Sequence, residues 1–186
     1  WRNERWEIEE YLNELTNPPV SETMRGIFFP TTPDIHPKIL WNAPREAFMV
    51  RFILASTLNS TYGIYSGYEL CENEPFHDGI KEELADSEKY EFKVRDWNAR
   101  GNIKELIAKV NAIRKSNVAL QEYDNLTFHS CDNQQLISYS KRDAKSRNTI
   151  ICIVNLDPYH QQSGWIHFDL QALGLVYGLW QVEDLL

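Results

Sequence analysis

The chain has 186 residues, of which 42% are hydrophobic and 12% aromatic, and it carries a net charge of -8. That composition supports a packed core and sets aside intrinsic disorder. An acidic balance without a basic run argues against nucleic acid as a partner. No signal peptide is recognisable and no apolar stretch is long enough to span a bilayer, so no membrane partner is expected. Three widely spaced cysteines, Cys71, Cys131 and Cys152, suggest neither a disulfide framework nor a zinc motif, and a reducing, cytoplasmic compartment is expected. Two glycosylation triplets, at Asn59 and Asn125, are of a kind that arises often by chance.

Trp1 stands first instead of Met, and Leu185-Leu186 close the chain without a polar tail. Both ends are expected to be cuts from a longer protein. Within residues 1–16, Ile8, Tyr11, Leu12 and Leu15 fall at helical spacing, and Asn17-Pro18-Pro19 stops the helix. Arg25 to Pro30 reads as a short buried strand. The following Thr31-Thr32-Pro33-Asp34-Ile35-His36-Pro37 cannot be helical, because each proline restricts the residue before it. Ala47 to Leu58 is apolar nearly all round, broken mainly by Arg51, and predicts a helix buried on most sides. Tyr62 to Glu69 reads as a second short strand leaving through a glycine turn. A polar stretch from Glu72 to Arg100 follows. Asn102 and Glu105 form a capping-box pair ahead of the stripe Ile103, Leu106, Ile107, Val110 and Ile113.

After about residue 120 the period changes to alternating runs at Leu126–His129, Leu136–Ser140, Thr149–Leu156, Trp165–Leu170 and Val176–Val182. Their simplest reading is an antiparallel β-sandwich. Ser140 to Arg147 reads as a solvated hairpin tip. The expected fold class is therefore α/β followed by all-β: residues 1–121 as the last units of a (β/α)8 barrel, and residues 122–186 as a C-terminal β-sandwich domain truncated at its end. On pattern alone, an independent α+β protein fits as well.

Asp34 stands just beyond a predicted buried strand in a proline-fixed loop, a position from which barrel enzymes present their chemistry. A turn or N-cap aspartate would look the same. Asp86-Ser87-Glu88-Lys89-Tyr90 gathers two acids, an amine, a hydroxyl and a phenol, groups able to hold vicinal sugar hydroxyls, although a bare charged cluster is more often a solvated loop. Glu69 is expected to anchor backbone N–H groups. Of the five histidines only His36, near Asp34, invites attention, and none has metal-ligand spacing. There is no Gly-rich phosphate loop and no nucleophile elbow. Neither cofactor nor metal is expected.

Phe28-Phe29-Pro30-Thr31-Thr32-Pro33-Asp34-Ile35 resembles the fourth conserved region of the maltosyltransferase branch of the α-amylase superfamily. Ala55-Ser56-Thr57-Leu58 with Tyr62 to Leu70 is similar to the last barrel strand and its exit in that branch. Asp86 to Glu91 followed by Arg95-Asp96-Trp97 is the most branch-specific string, and Asn111-Ala112-Ile113-Arg114-Lys115 resembles the final barrel helix. The resemblance covers residues 1–120 well, and the β part matches as a C-terminal sandwich. It implies a retaining enzyme that moves a maltosyl unit from α-maltose 1-phosphate to an α-1,4-glucan, through a covalent intermediate on an Asp with a Glu as acid and base. Both of those residues would lie on earlier strands, outside this chain, so the piece by itself is expected to be inactive. Carried over residue by residue, Asp34 matches the transition-state-stabilising carboxylate, Lys89 and Tyr90 match residues that hold the second glucose, and Glu88 assists. Thr31 stands where the branch usually has Asn.

Alternatives from other classes are a hydrolase or isomerase of the same superfamily, and a non-catalytic glucan-binding or bracing module with Trp165 and Trp180 as a candidate platform. A barrel cut open should also leave apolar faces, notably around Phe48 to Leu58, so self-association or a homodimer is expected.

Overall fold

The computed structural model of the chain describes residues 2–77, 79–87 and 92–186. Among these residues four α-helices precede a four-stranded sheet. Helix α1 (Arg5–Thr16) buries Ile8, Leu12 and Leu15 on the stripe that the spacing predicts. The Glu7 carboxylate accepts the N–H groups of Asn3 (3.1 Å) and Glu4 (3.0 Å), satisfying donors that a helix start leaves orphaned. At the other end the Asn17 side chain donates to the Asn13 carbonyl at 2.7 Å. A single turn, α2 (Val20–Thr23), follows.

Helix α3 (Arg45–Leu58) is the centre of the molecule. Phe48 and Phe52 are fully buried on one side, packed with Leu40, Tyr68 and Ile103. On the other side Val50, Ile53, Leu54 and Leu58 meet Ile8 and Leu12 of α1 and Ile137, Tyr139 and Val154 of the sheet. The all-round apolar sequence is explained by these two cores, each of which takes one face. Helix α4 (Lys104–Ser116) closes the first core with Leu106, Ile107 and Val110. The capping box expected at its start is not formed. Asn102 instead accepts the Lys104 N–H at 3.1 Å, an Asx-type bond across two residues, and Glu105 takes no part in it.

The sheet is antiparallel, in the order β3-β2-β1-β4: β1 (Leu126–Cys131), β2 (Leu136–Asp143), β3 (Asn148–Asn155) and β4 (Ile166–His167). β2 pairs with β3 over its whole length, from Leu136↔Asn155 to Asp143↔Asn148. The hairpin tip is shorter than expected. Ser140 and Lys141 are buried strand residues, and only Ala144 to Arg147 turn. There Asp143 accepts the Ser146 N–H at 2.8 Å.

A sandwich needs two stacked sheets, and among the described residues there is one. Its inner face packs on α1 and α3 instead of on a second sheet. Tyr139 shows how tightly: its hydroxyl meets Thr57 at 2.5 Å, and since the Thr57 hydroxyl donates to the Ile53 carbonyl (2.6 Å), the tyrosine is the donor. The run Val176–Val182 forms no strand. Alternation needs a neighbouring edge to become a ladder, and here Trp180 instead bonds back to the Val176 carbonyl at 3.1 Å. No helix among the described residues is long and apolar enough to cross a membrane.

The predicted strands at Arg25–Pro30 and Tyr62–Glu69 are reduced to a single parallel bridge, Phe28↔Tyr62. The Phe28 N–H donates to the Thr61 carbonyl (3.2 Å) and the Gly63 N–H to the Phe28 carbonyl (2.8 Å). Two parallel segments joined by α3 make one strand–helix–strand step, and it is this step that positions the candidate site.

Lys141 lies wholly inside the fold and donates to the Glu122 carbonyl at 2.7 Å. Burial first, then the charge of Arg114, pushes its pKa down from 10.5 to about 8. Between those values the unfolded chain holds a proton that the folded chain has released, so stability rises with pH across that window. Relative to Lys141→Met, the wild-type chain is expected to gain up to about 3 kcal/mol of unfolding free energy between pH 8 and pH 10 in urea titrations. A pH-independent difference would contradict the burial cost.

Candidate functional site

Because the Phe28 and Tyr62 segments run parallel, both leave the structure at the same end. The first exits into the turn Thr32-Pro33-Asp34-Ile35. Thr32 and Ile35 exchange backbone hydrogen bonds of 3.1 and 3.2 Å, which puts Pro33 and Asp34 at the tip of a two-residue turn. Proline presets the first tip position, and the Thr32 hydroxyl accepts the Asp34 N–H at 3.3 Å. The Asp34 side chain is exposed at that tip. The strand end behind it is held from α3: Arg51 Nε donates to the Pro30 carbonyl (3.3 Å) and its Nη1 to Asn3 Oδ1 (2.7 Å). Desolvation pushes the Arg51 pKa down. Thr31 is buried beneath the turn.

The second segment exits through Tyr65, Gly67 and Glu69 into the polar stretch. Glu69 has the anchoring role expected of it toward one backbone donor, accepting the Gly67 N–H at 3.0 Å. Gly67 has φ +99°, in the left-handed region, and a Cβ there would stand 2.5 Å from Glu72 Oε2 and 2.7 Å from Arg95 Nε. Glu72 and Arg95 form an ion pair of 2.9 Å with the arginine side chain 2% exposed, and Lys93 adds a third charge at 3.4 Å. This pair ties the segment before Glu88–Tyr90 to the segment after it. Inside that loop a Pro75↔Leu84 bridge makes a small hairpin, reinforced by Phe76 N–H to the Glu83 carbonyl (2.8 Å) and Ala85 N–H to the Glu74 carbonyl (3.0 Å). Glu88, Lys89 and Tyr90 lie outside the described residues. Asp86, just before them, is exposed with φ 50°.

Asp34 therefore shares one end of the molecule with the base of the loop that carries the expected sugar-holding residues. The two regions are tied by the backbone N–H of His36 to the Glu82 carbonyl (2.7 Å) and, beyond it, by the Asn42 N–H to the Asn73 carbonyl (2.8 Å). Sequence reasoning did not single out Glu72 or pair it with Arg95: opposite charges separated by a long loop leave no periodic signal. Arg51 stood out only as the break in an apolar helix. Trp165 is 79% exposed, whereas Trp180 is half-exposed and turned back on its own segment.

Gly67→Ala is expected to cost about 1–3 kcal/mol from the left-handed backbone alone, and to push Glu72 and Arg95 apart. Urea unfolding should report the first effect, and faster proteolysis within residues 72–95 the second. An alanine variant with unchanged stability and unchanged cleavage would contradict the packing described around Gly67.

Residues 128–186 match the family described as GLGE, C-terminal. The whole chain is 49% identical to the α-1,4-glucan:maltose-1-phosphate maltosyltransferase of Rhodospirillum rubrum, aligning over all of this chain and 27% of that protein. The maltosyltransferase of Methylacidiphilum infernorum is 49% identical over 94% of this chain and 26% of its own length. That of Myxococcus xanthus is 45% identical over the same shares. The chain thus spans about a quarter of the length of the curated relatives it matches. Over its whole length the chain is similar to part of the α-1,4-glucan:maltose-1-phosphate maltosyltransferases, and its residues 128–186 match the model described as GLGE, C-terminal.

Proposed function

We propose that the chain is the C-terminal part of an enzyme of the α-amylase superfamily that transfers maltosyl units from α-maltose 1-phosphate to the ends of α-1,4-glucan chains in the cytoplasm. The observation that carries the reading is the proline-fixed turn that presents Asp34 beside the Glu72–Arg95 loop, in a chain 49% identical to named maltosyltransferases. On this reading residues 1–121 are the last units of the (β/α)8 barrel. The parallel Phe28–Tyr62 step supports that assignment, as does the exit of both segments at one end, since barrel chemistry sits at the C-terminal ends of the strands.

Transfer with retention passes through two oxocarbenium-like transition states. Positive charge grows on the sugar ring as phosphate departs and again as the glucan hydroxyl attacks. A carboxylate fixed at a turn tip stabilises that charge without reorganising, the condition under which electrostatic stabilisation is largest. Asp34 has this role. Lys89 and Tyr90 hold the second glucose of the maltosyl unit, and Glu88 assists. The nucleophile and the acid/base come from parts of the enzyme outside this chain. Residues 122–186 brace the barrel, a role supported by the apolar cluster that joins the sheet to α1 and α3.

The test is phosphate release from α-maltose 1-phosphate with glycogen as acceptor, using the full-length enzyme. Asp34→Asn should lower turnover about 100–1,000-fold with a smaller effect on KM, and the 186-residue piece should release nothing. A full-length protein that releases no phosphate from this donor would retire the reading.

A further inference from the structure

Arg51 is the only charged residue of α3 beyond its first turn. Its guanidinium makes two side-chain hydrogen bonds, Nε to the Pro30 carbonyl (3.3 Å) and Nη1 to Asn3 Oδ1 (2.7 Å). Asn3 is itself fixed at the start of α1, where its N–H donates to the Glu7 carboxylate at 3.1 Å. One side chain therefore joins α3, the start of α1 and the strand end that leads into the Asp34 turn. Apolar packing on either side of α3 would suit a methionine at this position without the cost of taking a cation out of water, so packing alone does not account for an arginine.

The turn that carries Asp34 stands on two legs, and they are held differently. The leg after it is held at His36 from both sides: the His36 N–H donates to the Glu82 carbonyl (2.7 Å), and the His36 carbonyl accepts from the Trp41 indole (2.9 Å). The leg before it is Phe29-Pro30-Thr31. Among the described residues its one hydrogen bond is the one from Arg51. The ladder supplies no other, because the Phe28↔Tyr62 bridge is isolated and ends two residues short of Pro30. Pro30 is fully buried, so its carbonyl needs an acceptor's partner from the protein. The turn itself is closed by the Thr32 and Ile35 bonds of 3.1 and 3.2 Å. A shift of the leading leg therefore carries Asp34 with it.

We propose that Arg51 is a positioning residue for glycosyl transfer: from a guanidinium anchored on Asn3 it holds the Pro30 carbonyl, and so sets where the Asp34 carboxylate stands at the turn tip. The inference rests on the functional reading above and adds a residue that acts on the reaction through Asp34. Misplacement by about 1 Å is enough to cost on the order of 100-fold in rate.

The experiment places Arg51→Met and Arg51→Lys in the full-length enzyme, each with Asp34 intact and each combined with Asp34→Asn, and measures kcat and KM for α-maltose 1-phosphate. Methionine keeps the helix and much of the volume but loses both bonds; lysine keeps a charge that reaches one acceptor at a time. With Asp34 intact, Arg51→Met is expected to lower kcat about 10–100-fold with a smaller change in KM, and Arg51→Lys to retain part of the rate. Combined with Asp34→Asn, Arg51→Met should cost less than about threefold more, because the carboxylate that Arg51 places is already gone. A merely structural residue would give the same fold-loss in both backgrounds. Such equal losses, or an Arg51→Met enzyme within about twofold of wild type, would overturn the proposal. Should Arg51→Met fail to fold, Asn3→Ala carries the same comparison, since it frees the guanidinium from its anchor and leaves Arg51 in place. It is expected to lower kcat about 3–10-fold with Asp34 intact and hardly at all beside Asp34→Asn; no loss, or an equal loss in both, would overturn the proposal. A wild-type enzyme inert toward α-maltose 1-phosphate would instead defeat the functional reading on which the proposal stands.

Discussion

The guanidinium of Arg114 holds the ends of three elements together. From α4 it donates to the Ser56 carbonyl, to those of Asn59 (3.2 Å) and Ser60 (2.6 Å), and to that of Leu120 (3.4 Å). The first three are carbonyls around the C-terminal end of α3, where a helix leaves acceptors unpaired and its dipole favours positive charge. The fourth belongs to the link that leads into the sheet. The same guanidinium lies 5.0 Å from the centre of the Tyr62 ring, on the segment paired with Phe28. Desolvation pushes its pKa down, yet a guanidinium stays charged far above neutrality. A lysine would offer one point charge in place of a fork of donors and could not span these carbonyls together.

The candidate site depends on that arrangement through α3. Arg114 fixes where the helix ends and where the Tyr62 segment begins, while Arg51, farther up the same helix, holds the Pro30 carbonyl behind the Asp34 turn. Two arginines thus fix both parallel segments to the helix that joins them. The Glu72–Arg95 pair repeats the logic for the long polar loop, with a side chain only 2% exposed where most surface charges are solvated. The exposed Asp34 turn has buried charge behind it, each charge satisfied by carbonyls or a counter-ion.

Much of this was legible from spacing. The apolar stripe of α1, the all-round apolar character of α3 and the alternating runs at Leu126–His129, Leu136–Ser140 and Thr149–Leu156 became the expected elements, because local periodicity reports which face is buried. Ladders were less legible. Val176–Val182 alternates as well as β3 does, but a strand exists only where another edge accepts it, and sequence does not say where edges are. The same holds for the sandwich: alternation marks a half-buried sheet, as is found, and does not tell whether the covering layer is a second sheet or, among the described residues, α1 and α3. The exposed turn that carries Asp34 was legible because proline and strand signals flank it. The roles of His36, Glu72 and Arg95 were not, since each is defined by a partner distant in sequence. Lys141 looked like a solvated tip residue and is instead fully buried, its amine accepted by a carbonyl that no pattern announces.

The most direct test of the central claim is a crystal structure of the full-length enzyme, with its nucleophile disabled, bound to α-maltose 1-phosphate. The Asp34 carboxylate is expected within hydrogen-bonding distance of hydroxyls on the glucose next to phosphate, with the second glucose against Lys89 and Tyr90. A donor bound with Asp34 pointing to solvent and no contact from the 88–90 segment would contradict it.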